Sequence, residues 1–245
     1  MNRIPSILLL AAVTAGAQAA DFQLTITNHG PQPLSPLFYA ASTDQFNIFS
    51  VGGFASPGIK NIAERGNATD MLGIAAAASS VGTYGLLGAS PLVPGNTRSV
   101  LFSADAAHPY FSFASMLGKT NDGFIGESVD SMGLTLFNGS NAKSFTIEVF
   151  GSRAWDAGTE KNTQNLIDLN TLGGTMNPPE DPGQDVVRVH PGIIAGLGDS
   201  WQQLPNWTTS THLATIKVQA VPEPTPLAAL GIGAVGLLRR RRRAS

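Results

Sequence analysis

The sequence predicts an all-β protein, an antiparallel β-sandwich with one or two short helices between its early strands. Apolar and polar residues alternate over several short runs, as they do in strands with one buried face. Turns rich in glycine, proline and asparagine separate these runs, whereas apolar residues at helical spacing are few. The chain contains no cysteine, so the predicted sandwich depends on core packing and not on disulfides.

The predicted strands begin near the amino terminus of the folded part. Phe22, Leu24 and Ile26 alternate with polar residues, and a turn at 28–31 follows them. Further strands are predicted at residues 37–41, 97–103, 110–117, 145–149 and 214–220.

One helix is predicted directly after Ser56. This serine suits the N-cap, Pro57 suits the first helical position, and Gly66 suits the end of the helix. Residues 70–78 are interpreted either as a second helix or as a packing face of small residues.

The amino-terminal segment has the features of a secretory signal peptide. Arg3 is followed by a short apolar run and by Ala17-Gln18-Ala19, which fits a small-residue cleavage site. The apolar run is short for a membrane anchor, and the cleavage pattern argues against a buried first helix. We therefore expect residues 1–19 to be a signal peptide.

The carboxyl-terminal segment combines Pro222-Glu223-Pro224, an apolar run at 227–238 and five arginines at 239–243. This order resembles the PEP-CTERM sorting signal. The resemblance implies processing by an exosortase, transient association with the inner membrane of a Gram-negative bacterium, and release to the cell surface or medium. A plain membrane anchor or a basic nucleic-acid tail are the alternatives. The predicted organisation is then a signal peptide at 1–19, one domain at 20–220 and a sorting signal at 221–245.

Charge excludes one class of partner for the predicted domain. Six of the 15 basic residues lie outside 20–220, as does one of the 17 acidic residues, which leaves nine against sixteen and a net charge near −7. A protein that binds nucleic acid is typically basic, so nucleic acid is not an expected partner. An acidic surface agrees with cation binding.

Two acidic segments predict a cation site. Asp122 lies in a turn before Gly123, and Asp156 and Glu160 flank Gly158, which can take positive φ and fold the loop back. Each segment follows a predicted strand, and we expect those two strands to lie side by side and to bring the carboxylates together. An all-carboxylate site suits a hard cation, and Ca²⁺ is the expected ion.

The same segments carry a family resemblance. The chain resembles the spondin domain, the amino-terminal module of the F-spondin family, in 114–116, 154–160, 38–40, 54–59, 62–64 and 91–95. The resemblance spans about 21–220 and implies a C2-like β-sandwich that binds one calcium through Asp122, Asp156 and Glu160. An aspartate stands at the last position in animal spondins, and glutamate is still able to chelate. Association with extracellular matrix is also implied.

No pattern in the sequence predicts an active site. The glycine pattern at 231–236 lacks the βαβ context of a dinucleotide-binding site, and the four histidines lack metal spacing and are expected as isolated surface residues. We predict a non-catalytic, exported, calcium-binding module for the cell surface or extracellular matrix, with exopolysaccharide as a candidate partner. The alternatives are an exported hydrolase, which would need an acid and base pair in a cleft separate from the ion, and a purely structural matrix protein. Asp156 and Glu160 themselves resemble a glycosidase acid and base pair, but their four-residue spacing in one tight loop suits chelation better.

Overall fold

The computed structural model describes residues 19–169 and 185–222, and two antiparallel sheets dominate them. The predicted signal peptide, apart from Ala19, and the sorting segment from residue 223 onward lie outside the described residues. The four-stranded sheet contains β1 (Ala19–Asn28), β4 (Thr97–Asp105), β9 (Phe145–Phe150) and β12 (His212–Ala220). Their order in the sheet is β4-β1-β12-β9.

The second sheet has six strands in the order β11-β10-β6-β5-β2-β3. They are β2 (Leu37–Ser42), β3 (Val81–Leu87), β5 (Tyr110–Met116), β6 (Gly123–Glu127), β10 (Ala154–Asp156) and β11 (Arg188–Val189). A small hairpin is formed by β7 (Phe137–Asn138) and β8 (Asn141–Ala142). The all-β antiparallel sandwich predicted from the sequence is confirmed.

The predicted helices are present. Helix α1 (Pro57–Arg65) begins after Ser56, whose hydroxyl accepts a hydrogen bond from the Ile59 N–H at 3.3 Å, and it ends at Gly66 in the left-handed region. Helix α2 (Thr69–Ala77) covers most of residues 70–78, so the interpretation of this segment as a second helix is the one that the structure has. A short α3 (Val129–Met132) follows β6, and 3₁₀ turns occur at Gly151–Arg153, Leu166–Asp168 and Trp201–Gln203.

The core has two parts because the six-stranded sheet is covered on both faces. Between the sheets, aromatic side chains such as Phe22, Phe111 and Phe113 pack with the apolar face of β12. On the outer face, Phe38 and Phe124 pack against the apolar residues of α1 and α2. Strand β5 is therefore buried almost throughout, whereas β1 alternates between buried and more exposed positions.

One expectation about the sheets is wrong. Strand β9 belongs to the four-stranded sheet and β5 to the other, so the predicted strands before the two acidic segments are not neighbours. The chain changes sheets at the turn Gly151–Arg153 and then forms β10, beside β6. A Cβ at Gly151 would collide with the Thr208 carbonyl oxygen, so this close turn requires glycine.

The described domain begins and ends at the same end of the sandwich. Strands β1 and β12 are antiparallel neighbours, with Phe22 opposite Ala220 and Asn28 opposite Ala214. The Val221 N–H also donates to the Asp21 carbonyl oxygen at 2.8 Å. The segments before β1 and after β12 therefore leave the domain close together.

The far end of β1 leads toward the turn that holds Asp122. The side-chain amide of Asn28 donates to the Gln32 carbonyl oxygen at 2.8 Å. The Gln32 side-chain oxygen in turn accepts from the Lys119 N–H at 2.9 Å. Since β1 has ten residues, its two ends lie about 30 Å apart, and the Asp122 turn is linked to the end at Asn28.

Candidate metal centre

Strand pairing brings the two acidic segments together. Strands β10 and β6 are antiparallel, and Asp156 at the end of β10 lies opposite Gly123 at the start of β6. One residue further along, the Ala157 N–H donates to the Asp122 carbonyl oxygen at 3.1 Å. The predicted proximity of the segments is therefore present, although β10 and not β9 produces it.

Thr120 fixes the turn that carries Asp122. Its hydroxyl donates to the Leu117 carbonyl oxygen at 2.6 Å and accepts from the Gly123 N–H at 2.9 Å. These two hydrogen bonds of the Thr120 hydroxyl define the backbone immediately before β6. Asp122 itself is completely buried.

Gly158 shapes the loop between Asp156 and Glu160. Its φ is +70°, and a Cβ there would collide with the Asp185 carbonyl oxygen. The Gly158 carbonyl oxygen also accepts from the Asp185 N–H at 2.8 Å. Because the left-handed region and the close approach both favour glycine, Gly158 allows the loop to turn back toward Asp122.

The folded loop presents its backbone to the Asp122 carboxylate. Oδ2 of Asp122 accepts from the N–H groups of Thr159 at 2.7 Å and Glu160 at 3.1 Å, and from the Thr159 hydroxyl at 3.3 Å. Oδ1 is buried and has no hydrogen-bond partner. One oxygen of Asp122 is thus well satisfied and the other is not.

Glu160, like Asp122, has a buried carboxylate oxygen without a hydrogen-bond partner. Its side chain is only 3% exposed, and Oε2 has no hydrogen-bond partner. Burial and the negative charges of Glu64 and Asp122 raise the pKa of Glu160 to about 9, although Lys60 and Arg65 act in the opposite direction. Burial and the Asp156 charge raise the pKa of Asp122 to about 7. The surroundings therefore oppose the ionised form of both groups.

Asp156 differs from the other two. Its Oδ1 accepts from the Gly158 N–H at 2.8 Å, and its Oδ2 accepts from the Asn162 side-chain amide at 2.6 Å. An Arg188 guanidinium nitrogen lies 3.6 Å from the same Oδ2, and Arg188 also pairs with Asp185. Neither oxygen of Asp156 lacks a partner, so this carboxylate has to exchange contacts before it can bind an ion.

The three predicted ligands thus lie in adjoining segments, but their carboxylates do not converge on one point as the ligands of a bound ion do. Among the described residues, no group of three or more histidine, aspartate or glutamate side chains has the arrangement of a metal site. Asp122, Asp156 and Glu160 remain predicted ligands. Their carboxylates supply only hard oxygen donors, and the orphaned oxygens of Asp122 and Glu160 fit a divalent cation such as Ca²⁺.

Sequence reasoning missed several residues around this centre. His190 was expected at the surface, yet it is 3% exposed and its ring packs against Trp207, with centroids 5.0 Å apart. Its Nδ1 accepts from the Gly192 N–H at 3.0 Å.

Two further residues that contact Asp156, Arg188 and Asn162, come from segments without a recognisable sequence motif. Trp155, beside Asp156, is buried, and its indole N–H donates to the Gly126 carbonyl oxygen at 2.9 Å.

Comparison with known families agrees with this arrangement. The PEP-CTERM protein-sorting motif matches residues 220–243, which implies export and processing by an exosortase. No curated protein matches the chain. Within the described residues no helix is long and apolar enough to cross a membrane. The Spondin_N family model matches residues 23–166, more than half of the 245 residues and the region that holds all three predicted ligands. The chain therefore belongs to the spondin N-terminal domain family.

Proposed function

We propose that this exported protein binds one calcium ion through Asp122, Asp156 and Glu160, and that the ion holds the β10 loop against the turn before β6. The observation that carries the proposal is the pair of buried carboxylate oxygens without partners, on Asp122 and Glu160. A buried polar oxygen without a partner costs about 1–3 kcal/mol, and a charged one costs more. A divalent cation removes both costs at once.

Ion binding requires a change in the contacts of Asp156. Its two oxygens are already held by Gly158 and Asn162, and Arg188 supplies the opposite charge. A calcium ion, which accepts flexible coordination, takes the place of the weaker of these contacts. We expect a dissociation constant on the order of 10⁻⁴ to 10⁻³ M, as in other extracellular modules.

A non-catalytic role fits the space around the centre. The cavity next to the Asp122 turn is lined by Thr120, Asn121 and His190 among others, and its volume is about 10 Å³. Such a cavity has room for about one water and none for a sugar ring. We infer that the protein associates with a cell-surface or matrix macromolecule, with exopolysaccharide as the first candidate, and performs no chemistry on it.

Thermal melts of the exported protein test the ion. At a free calcium concentration 100 times the dissociation constant, linkage adds about 2.7 kcal/mol of stability over the same protein in EDTA. Asp122→Asn removes most of that gain, whereas Asp44→Asn, at an exposed position, retains it. Wild-type melting curves that coincide in calcium and in EDTA would refute the calcium site.

Binding to polysaccharides tests the partner. The exported protein is applied to a glycan array and to purified exopolysaccharide, each with calcium and with EDTA. Retention on a polysaccharide, without release of new reducing ends, supports the non-catalytic module. Release of reducing ends identifies a hydrolase instead, and no retention on any glycan removes exopolysaccharide as the partner.

A further inference from the structure

Two histidines that lie far apart in the sequence meet at the surface of the four-stranded sheet. His29 directly follows β1, and His212 is the first residue of β12. Their rings stack, with centroids 4.2 Å apart and an interplanar angle of 26°. The expectation that the histidines are isolated surface residues is therefore wrong for this pair.

A bulge at the start of β12 directs the His212 side chain outward. The pairing of β12 with β9 shifts register between His212 and Ala214. Leu213 and Ala214 are both buried. His212 and Thr215 therefore share the outer face of the sheet, although a strand without a bulge would point them to opposite faces.

The same bulge positions His29. The N–H groups of His29 and Gly30 both donate to the Leu213 carbonyl oxygen, at 2.9 Å and 2.8 Å. Two successive donors to one carbonyl hold the chain beside the bulge just after β1 ends. The His29 ring is thereby placed against the ring of His212.

The two rings turn the same nitrogen toward one atom. Nε2 of His29 lies 3.0 Å from the Thr215 hydroxyl oxygen, and Nε2 of His212 lies 3.3 Å from it. This hydroxyl donates to Glu148 Oε2 at 2.7 Å. The same carboxylate oxygen lies 2.7 Å from His212 Nε2. Two imidazole nitrogens and one negative charge thus lie around a single hydroxyl group.

This combination suits a different class of cation from calcium. A neutral imidazole binds Zn²⁺, Cu²⁺ or Ni²⁺ through a ring nitrogen, whereas Ca²⁺ prefers oxygen ligands. Zn–N bonds are about 2.0–2.1 Å long, so nitrogens at 3.0 and 3.3 Å from one atom need only small side-chain rotations to hold an ion. His29 is exposed and the His212 side chain is 35% exposed, so both side chains have room to adjust.

We propose that His29 and His212 bind Zn²⁺, or another divalent ion that prefers imidazole, through their Nε2 atoms. In the part of the chain that the structure describes, no third histidine or acidic side chain completes a metal site, so water supplies the remaining ligands. The Glu148 carboxylate lies beside the ion, and its negative charge favours the cation. The ion ties the residue after β1 to the first residue of β12. This site is separate from the proposed calcium centre and does not depend on it.

Calorimetric titration of the exported protein with ZnCl₂, with calcium in excess, tests the proposal. His29→Asn and His212→Asn should each weaken zinc binding by about tenfold or more, because even residues that only orient a metal ligand contribute about 10- to 100-fold. His108→Asn is the matched control and retains the wild-type affinity, since His108 pairs with Asp105 and not with another histidine.

Each outcome decides the proposal. No zinc binding by the wild-type protein, or wild-type affinity in either variant of the pair, overturns it, as does an equal loss in His108→Asn. Zinc binding that is lost in Asp122→Asn and kept in both variants of the pair shows that zinc occupies the calcium centre instead. Melting curves in EDTA show whether each variant folds, and if His212→Asn does not, His29→Asn at its exposed position decides alone.

Discussion

His190 occupies the most completely enclosed position of any histidine in the described part of the chain. Its ring lies against Trp207, its Nδ1 accepts from the Gly192 N–H, and its Nε2 has no partner. Burial and the nearby Arg188 charge lower the pKa of His190 to about 4, although Asp156 acts in the opposite direction. The folded state thus favours the neutral His190 ring over the protonated one.

The contribution of His190 to stability should consequently fall in mild acid. Between pH 6.5 and pH 4 the unfolded chain protonates His190 and the folded chain does not, so this contribution to the free energy of unfolding decreases as the pH falls, whereas the raised pKa values of Asp122 and Glu160 act in the opposite direction in the ion-free protein. His190→Gln should reduce that dependence, and the same change at exposed His29 is the control. Urea unfolding at pH 4.5 and pH 7 provides the measurement, and equal slopes in wild type and His190→Gln would contradict the expectation.

Glu160 predicts the opposite trend on the alkaline side. Its raised pKa means that the folded, ion-free protein holds a proton that the unfolded chain releases near pH 4.5. In EDTA, stability should therefore decrease as the pH rises from 7 to 9, where His190 contributes nothing. Glu160→Gln should flatten this decrease. An ion-free wild-type protein that is equally stable at pH 7 and pH 9 would be inconsistent with the raised pKa.

At the scale of the elements, the loop after β10 depends on one glycine. Gly158 combines a φ of +70° with a backbone approach that leaves no space for a Cβ. Gly139 has a similar φ of +61° but nothing within 4 Å of its Cβ position. The two positions therefore separate the cost of the backbone conformation from the cost of the collision.

Gly158→Ala should destabilise the protein by more than Gly139→Ala. Both changes incur the strain of a left-handed alanine, about 1 kcal/mol, but only the first also displaces the Asp185 backbone. Gly158→Ala should in addition lose the calcium-dependent rise in melting temperature. Thermal melts in calcium and EDTA decide this, and equal losses at the two glycines would show that the collision is relieved without cost.

Local sequence patterns predict some of the helices and strands but not others. The N-cap Ser56, Pro57 and Gly66 specify α1 because capping is local, and the alternation in β1 specifies a strand with one buried face. Strand β10 has only three residues, which is too short for any periodicity. Its place beside β6 depends on the contact of Gly151 with the distant Thr208 backbone, which no local pattern records.

The same distinction applies to the candidate site. The glycine turns at Gly123 and Gly158 indicated where Asp122, Asp156 and Glu160 lie in the chain. The sequence spacing did not reveal that the charge of Glu64 raises the pKa of Glu160, because Glu64 lies on a helix that packs against the six-stranded sheet. The burial of His190 could not be predicted either, because the preceding strand β11 has only two residues and pairs with β10, which is distant in the sequence.

At the scale of the whole molecule, the sorting motif joins the domain without a spacer. The PEP-CTERM match begins at residue 220, which is also the last residue of β12. Exosortase processing beyond Val221 would therefore remove no residue of the two sheets and would keep the hydrogen bond from the Val221 N–H to the Asp21 carbonyl oxygen. The predicted signal-peptide cleavage after Ala19 would remove one residue of β1.

Intact mass spectrometry of the exported protein checks both events. We expect a species that begins at Ala20 and lacks the arginines at 239–243, because each terminal segment has the order of parts that its processing enzyme recognises. An exported protein that still carries the arginine block would contradict exosortase processing.

The antiparallel pairing of β1 with β12 also has a mechanical consequence. A pull on a tether at Ala220, against a ligand held near the Asp122 turn, acts along the length of β12. Strand β12 has β1 on one side and β9 on the other, so such a force loads two rows of hydrogen bonds in shear at once and cannot peel them apart one by one. A pull at Ala220 against the Asp122 end would thus be opposed by both neighbours of β12 together.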